Sequence, residues 1–292
     1  MMTVQMSDSD LLMELDQTYA SGQVPCWPGV TGHVVPVAGG TIHYVEMGMP
    51  TGEPVLLLHK LGGWAADWRH VAELLADEYR VLVVDMPGHG GSTLRKEETW
   101  AHPITESSTA LREFLDVMGI ERAHLMGSSL GGVVSTLLSS QTPERVLTLS
   151  LVAVSLTPVH TLERTLENDR AFRDSFTADW FPLPLPIPEG IDEPERERMR
   201  EGNASRARAG RWARSSERGF GLTGIEQVLP DVSAPTLLVN AIDAAYRRYE
   251  DTAKRLISDV RVETIDVPGM FPHQNAPDQV AALWRSFVQG AK

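Results

Sequence analysis

The residues best suited to chemistry in this 292-residue chain begin at LMGSSLGG (125–132). There Gly127-Ser128-Ser129-Leu130-Gly131 sets a serine between two glycines, each two residues away. A serine becomes a nucleophile when a sharp turn exposes its hydroxyl and a base takes its proton. Such a turn crowds the positions two residues before and after, so only small side chains fit there. Ser129 is therefore the candidate nucleophile. Ser128 is not, because Met126 and Leu130 flank it at that spacing. An apolar strand (AHLMGS, 123–128) precedes the turn and a helical stretch follows it, a context that argues against a plain Ser/Gly loop.

Other stretches gather polar residues at turns. LLLHKLGG (56–63) ends an apolar run in His59, Lys60 and two glycines. DMPGHGGS (85–92) surrounds Asp85, His89 and Ser92 with glycine. Near the C-terminus, VPGMFPHQNAP (267–277) offers His273 ahead of a helix that opens at Pro277. Cys26 is the only cysteine, so no internal disulfide and no Cys-rich metal motif can form. GSSLGG lacks the Lys-Ser/Thr of a phosphate loop. The sequence displays no metal-ligand cluster and implies no cofactor.

These groups need elements to hold them. HVVPVAG (33–39) and TIHYVEMG (41–48) read as a strand pair joined at Gly39-Gly40. PVLLLHK (54–60), YRVLVVDM (79–86), AHLMGS, VLTLSLVAVS (146–155), TLLVNAID (236–243) and RVETIDV (261–267) read as further strands. Their weak alternation suits strands buried on both faces. Leu111, Phe114, Leu115 and Met118 fall on one helix face, stopped by Gly119. Val280, Leu283, Trp284 and Phe287 do the same after Pro277. The predicted fold is α/β, a mostly parallel central sheet with helices on both faces.

Residues 156–227 break the rhythm with FPLPLPIPEG (181–190) and a charged helical run at 195–218. The expectation is a helical cap inserted into a core of 1–155 and 228–292, the charged run being a solvated helix face. Net charge is −13. Such acidity disfavours nucleic acid and anionic membranes as partners. No stretch reaches the ~20 apolar residues of a spanning helix, and the N-terminus lacks a basic, then apolar, leader pattern. The expectation is a soluble cytoplasmic protein with no membrane and no nucleic-acid partner. The sequence leaves any homo-oligomer open.

GSSLG, HKLGG and DMPGHGGS together resemble the α/β-hydrolase superfamily, in its esterase, C–C hydrolase and epoxide-hydrolase/haloperoxidase branch. The resemblance covers nearly the whole chain outside the cap. It implies Ser129 as nucleophile and the N–H groups of Leu61 and Leu130 as an oxyanion hole. It implies Asp243, at the end of TLLVNAID, as the acid, with Asp266 a weaker candidate. Lys60 departs from the pattern, replacing a glycine. It could stabilise an anionic intermediate, bind a substrate carboxylate, or point to solvent. The last motif departs too. Counting back seven residues from Pro277 reaches Met270, which would replace the catalytic histidine. Counting forward from Gly269 reaches His273 one residue late.

Three functions follow. The first is a serine hydrolase acting on an ester, lactone or C–C bond of a small apolar or aromatic substrate, with Ser129, Asp243 and His273. The second is a non-hydrolytic isomerase, cyclase or epimerase on the same scaffold. The third is a ligand-binding protein that has lost the histidine. Trp64, Trp68, Trp180, Phe181, Met270 and Phe271 are candidate pocket lining, beside Lys60. His59 and His89 are expected to brace loops.

Overall fold

A computed structural model describes residues 27, 29–94, 99–176 and 182–291. Trp180, Phe181 and Cys26 lie outside the described residues.

The sheet starts with β1 (Gly32–Val37) and β2 (Gly40–Gly48), an antiparallel hairpin. The strands β3 (Pro54–Leu58), β4 (Arg80–Val84), the two-residue β5 (Thr93–Leu94), β6 (Ala123–Ser128), β7 (Val146–Val152), β8 (Thr236–Ala241) and β9 (Val260–Ile265) follow. Their order is β1-β2-β4-β3-β6-β7-β8-β9, with β5 paired to β2. Pairing is parallel from β4 through β9 and antiparallel at β2. The two-residue β5 carries too little pattern to be read from sequence.

Successive residues of one strand serve opposite faces. Leu56 and Leu58 join one apolar cluster with Phe114, Val133 and Leu137. Val55 and Leu57 join the other with Trp68, Leu75 and Trp284. The covering helices are α1 (Arg69–Leu75), α2 (Ile104–Val117), α3 (Leu130–Gln141) and, last in the chain, α8 (Pro277–Gly290). Both faces are dry, which explains why the strands read as near-continuous apolar runs.

Between β7 and β8 lie α4 (Leu162–Arg173) and α5 (Glu193–Thr223). α5 breaks at Gly210, whose backbone is left-handed at φ 47°. From Glu201 on, its first half turns to a cavity, and Ser205 there is buried. Only its start fits the expected solvated face, with exposed pairs such as Arg200–Glu197. The second half corrects it. Arg214 and Arg218 are buried and converge on Asp169 of α4. A buried guanidinium needs such a partner to offset lost hydration. The short α6 (Glu250–Leu256) and the one-turn α7 (Pro272–Asn275) complete the chain. Among the described residues no helix is long and apolar enough to cross a membrane.

β3 is the topological switch point: the chain runs next to β4 on one side and later returns to β6 on the other. In such sheets ligands bind at the carboxyl ends of the strands beside that point. His59 and Lys60 follow β3, Ser129 follows β6, and Asp243 follows β8.

Candidate active site

Ser129 joins β6 to α3 with φ 48° and ψ −112°. Its N–H donates to the Val152 carbonyl at 3.3 Å, and the Gly131 N–H donates to the His59 carbonyl at 3.1 Å. The glycines are sterically required. A Cβ on Gly127 would lie 2.4 Å from the Gly131 backbone, and one on Gly131 would lie 2.3 Å from the Leu58 oxygen. Ala153, at the end of the neighbouring strand, is also left-handed at φ 53°. Its N–H donates to the Val239 carbonyl at 2.9 Å.

Ser129 opens on a cavity of about 790 Å³. Leu61, Leu130, Lys60, Trp64, Met270 and Phe271 line the same cavity. Trp68 does not. It is fully buried core, and its ring stacks on His273 at 4.1 Å.

The loop after β3 is braced from below. His59 bonds the Lys60 carbonyl through Nδ1 at 2.7 Å and accepts from the Met86 N–H through Nε2 at 2.9 Å. These two bonds require the neutral tautomer with the proton on Nδ1. Asp85 accepts from the Ala65 and Gly91 N–H groups and pairs with buried His43 at 2.6 Å. Burial opposes the Asp85 charge, but His43, which bonds it, the neighbouring His59 and the Gly91 N–H outweigh it and hold the carboxyl below its ordinary value.

Lys60 does not reach for solvent. Its Nζ donates to Asp67 Oδ2 at 2.6 Å and sits 5.3 Å from the centroid of the Phe271 ring. Asp67 thus neutralises the cation in the cavity wall.

The structure does not bring Ser129, His273 and Asp243 into a hydrogen-bonded relay. Asp243 is exposed and accepts from the Gly269 N–H at 3.1 Å. Asp266 is exposed just beyond β9 rather than inside it. His273 is buried, and among the described residues neither ring nitrogen has a hydrogen-bond partner. Pro272 opens α7 immediately before it, and that turn packs His273 against Trp68. Burial, aided by the Lys60 charge, pushes its imidazole well below 6.5. Met270, 44% exposed, lines the cavity with Ser129 while His273 does not.

Tyr246, which the sequence reading missed, lines the cavity with Ser129. Burial raises the Tyr246 phenol above 10; the neighbouring Ser129 side chain works against that shift and the Glu217 charge adds to it. Glu217, on α5, lines the cavity too. Burial raises its carboxyl above the ordinary value. No motif marks either residue. Tyr246 sits on a short 3-10 turn three residues past Asp243, and Glu217 lies inside the charged run.

A family model described as alpha/beta hydrolase fold matches residues 53–217. The chain belongs to the α/β-hydrolase fold family. It is 38% identical over 117 residues to the dihydrolipoyllysine-residue acetyltransferase component of the acetoin cleaving system of Pseudomonas putida, across 40% of this chain and 31% of that one. It is 38% identical over 104 residues to the pimeloyl-(acyl-carrier protein) methyl ester esterase of Aeromonas salmonicida, across 36% of this chain and 39% of that one. The matched segments thus span about a third of those curated relatives. A thermophilic esterase from Thermogutta terrifontis has the same fold, with a TM-score of 0.75 at 21% identity over 89% of this chain and 99% of that one.

Proposed function

We propose that the protein is a serine-dependent hydrolase of a small, largely apolar carbonyl compound, an ester, a lactone or a ketone cleaved at a C–C bond. The observation that carries this reading is the backbone of Ser129, left-handed at φ 48° on the wall of the cavity. Non-glycine strain of this kind costs about 1–3 kcal/mol and clusters at functional sites. An esterase among the relatives supports hydrolysis. Residues 156–227 serve as a cap, with α5 supplying part of the cavity wall.

In this reading Ser129 Oγ attacks the substrate carbonyl carbon, and the Leu61 and Leu130 N–H groups stabilise the oxyanion. The tetrahedral intermediate collapses, the leaving group departs with a proton, and water hydrolyses the ester on Ser129. The proton of Ser129 needs an acceptor. Neutral Tyr246 is a donor, not a base, at ordinary pH. Glu217 shares the cavity, and its charge acts on Tyr246. A carboxyl raised toward neutrality is a better general base than an ordinary one. We assign Glu217 as that acceptor, in place of His273.

One observation favours a second reading, a non-hydrolytic isomerase or cyclase. Met270, rather than a histidine, faces the cavity beside Ser129. The Ser129 and Tyr246 hydroxyls would then hold an enolate while Glu217 moves a proton between carbons.

Labelling by a fluorophosphonate, read by intact mass, separates the readings in wild type, Ser129→Ala, His273→Ala and Glu217→Gln. Labelling of wild type and His273→Ala, with loss in Ser129→Ala and Glu217→Gln, supports the hydrolase with Glu217. Loss in His273→Ala with retention in Glu217→Gln returns the base to His273. No labelling of any folded form sinks the hydrolase and leaves the proton-transfer enzyme.

A further inference from the structure

The charges of the cavity wall are equal in number but not all paired. Lys60 pairs with Asp67 at 2.6 Å, and Arg69 forks onto both carboxylate oxygens of Glu201 at 2.7 Å. Arg198 pairs with Glu195. Arg206 lines the same cavity and has no such partner. Its Nε donates to the Leu183 carbonyl at 3.3 Å, and no hydrogen bond or ion pair engages its terminal nitrogens among the described residues. A Cβ on Gly62 would come 3.7 Å from Arg206 Cγ, so the side chain passes the loop that carries Leu61. Ser205 fixes this stretch of α5 by donating to the Gly62 carbonyl at 2.5 Å.

A half-buried guanidinium without a carboxylate is poorly compensated. Burial accordingly lowers its pKa, with no opposing charge, although the group stays ionised. Its fork geometry matches a planar oxyanion through two parallel hydrogen bonds. The other cations of the wall are already paired, so Arg206 is the one with terminal nitrogens open to a ligand anion among the described residues. That favours a carboxylate over a doubly charged phosphate. The unpaired acid of the wall, Glu217, is not ion-paired to Arg206 and leaves it free.

We propose that Arg206 is the anchor for a carboxylate on the substrate, so that the cavity takes monoanionic organic acids whose reacting carbonyl lies toward Ser129. This rests on the reading of the cavity as the substrate site and names the substrate class. It does not require Ser129 to react, so its test is one of binding.

The probes are phenylbutyrate and its neutral amide, titrated calorimetrically into wild type, Ser129→Ala, Arg206→Gln and Arg206→Lys. The expected result is an acid bound about tenfold more tightly than the amide by wild type and Ser129→Ala. Arg206→Gln should abolish that preference, and Arg206→Lys should keep part of it, since the charge remains while the fork is lost. Equal affinity for acid and amide in wild type, including no binding of either up to about 10 mM, overturns the proposal. So does a preference that survives in Arg206→Gln. Failed fluorophosphonate labelling with an intact acid preference would remove the hydrolase and keep the anchor.

Discussion

Tyr246 stands with Ser129 on the wall of one cavity, where His273 does not reach. A protonated phenol at that place can donate to an oxygen but cannot accept the serine's proton. In the proposed hydrolase the base must therefore come from elsewhere in the cavity.

Tyr246→Phe should lower turnover on a carbonyl substrate by about 10²-fold, the order expected when one donor at a developing charge is removed. KM should change little, because the lost bond matters most as charge develops. Steady-state kinetics with urea denaturation check this. A variant with unchanged kcat would mean that Tyr246 only packs against the serine.

Gly131→Ala should destabilise the fold by about 3 kcal/mol, because its Cβ would press on the Leu58 carbonyl, which has no room to yield. Gly202→Ala in α5 is the contrast. Nothing lies within 4 Å of its Cβ, and helix propensity should add up to about 1 kcal/mol. Urea midpoints of the two variants give the comparison.

Asp67→Asn should release Lys60 and leave a second unpaired cation beside Arg206. The pair is partly buried, with 22% of the lysine and 7% of the aspartate side chain exposed. Loss of the partner should cost about 1–3 kcal/mol. The same change should tighten phenylbutyrate binding relative to wild type, measurable in the same titration. Unchanged binding would show that the Lys60 charge plays no part in the cavity field.

The buried histidines should give the protein an acid-sensitive stability. Burial, with the Lys60 charge, depresses His273 well below 6.5, and burial depresses His89 to about 3. An unfolded histidine takes up a proton near 6.5 while these native ones stay neutral. Stability is thus complete above about pH 6.5 and falls as the pH drops toward the folded-state values. Each histidine adds a slope of about 1.4 kcal/mol per pH unit across that window. His273→Leu should flatten the slope by one proton's worth in urea denaturation between about pH 7 and pH 5. An unaltered slope would show that native His273 protonates after all.

The scaffold was readable because its signals are local and steric. Gly127 and Gly131 report the crowding around Ser129, and Leu56 beside Leu57 reports a strand covered on both faces. The polar wall of the cavity was not readable. Glu217 and Arg206 sit in a charged run that looks like a solvated surface; the Ser205 bond to the Gly62 carbonyl, the break at Gly210 and the contacts with α4 turn parts of it inward. Counting along VPGMFPHQNAP left His273 and Met270 as rivals. The order of packing decides which of them faces the cavity: the turn begun by Pro272 carries the ring to Trp68, while the loop before it carries Met270 to the wall.

The left-handed backbones of Ser129 and Ala153 are tied across successive strands, one to the Val152 carbonyl and the other to the Val239 carbonyl. No side chain of the catalytic kind takes part in that lashing. The backbone of Ser129 is therefore held by the sheet itself. Met270 stands on an exposed loop, outside that framework. Under the proposed function, a change of residue there would alter the proton chemistry and leave the Ser129 backbone in place. The same architecture can in this way host a hydrolase or an isomerase without refolding.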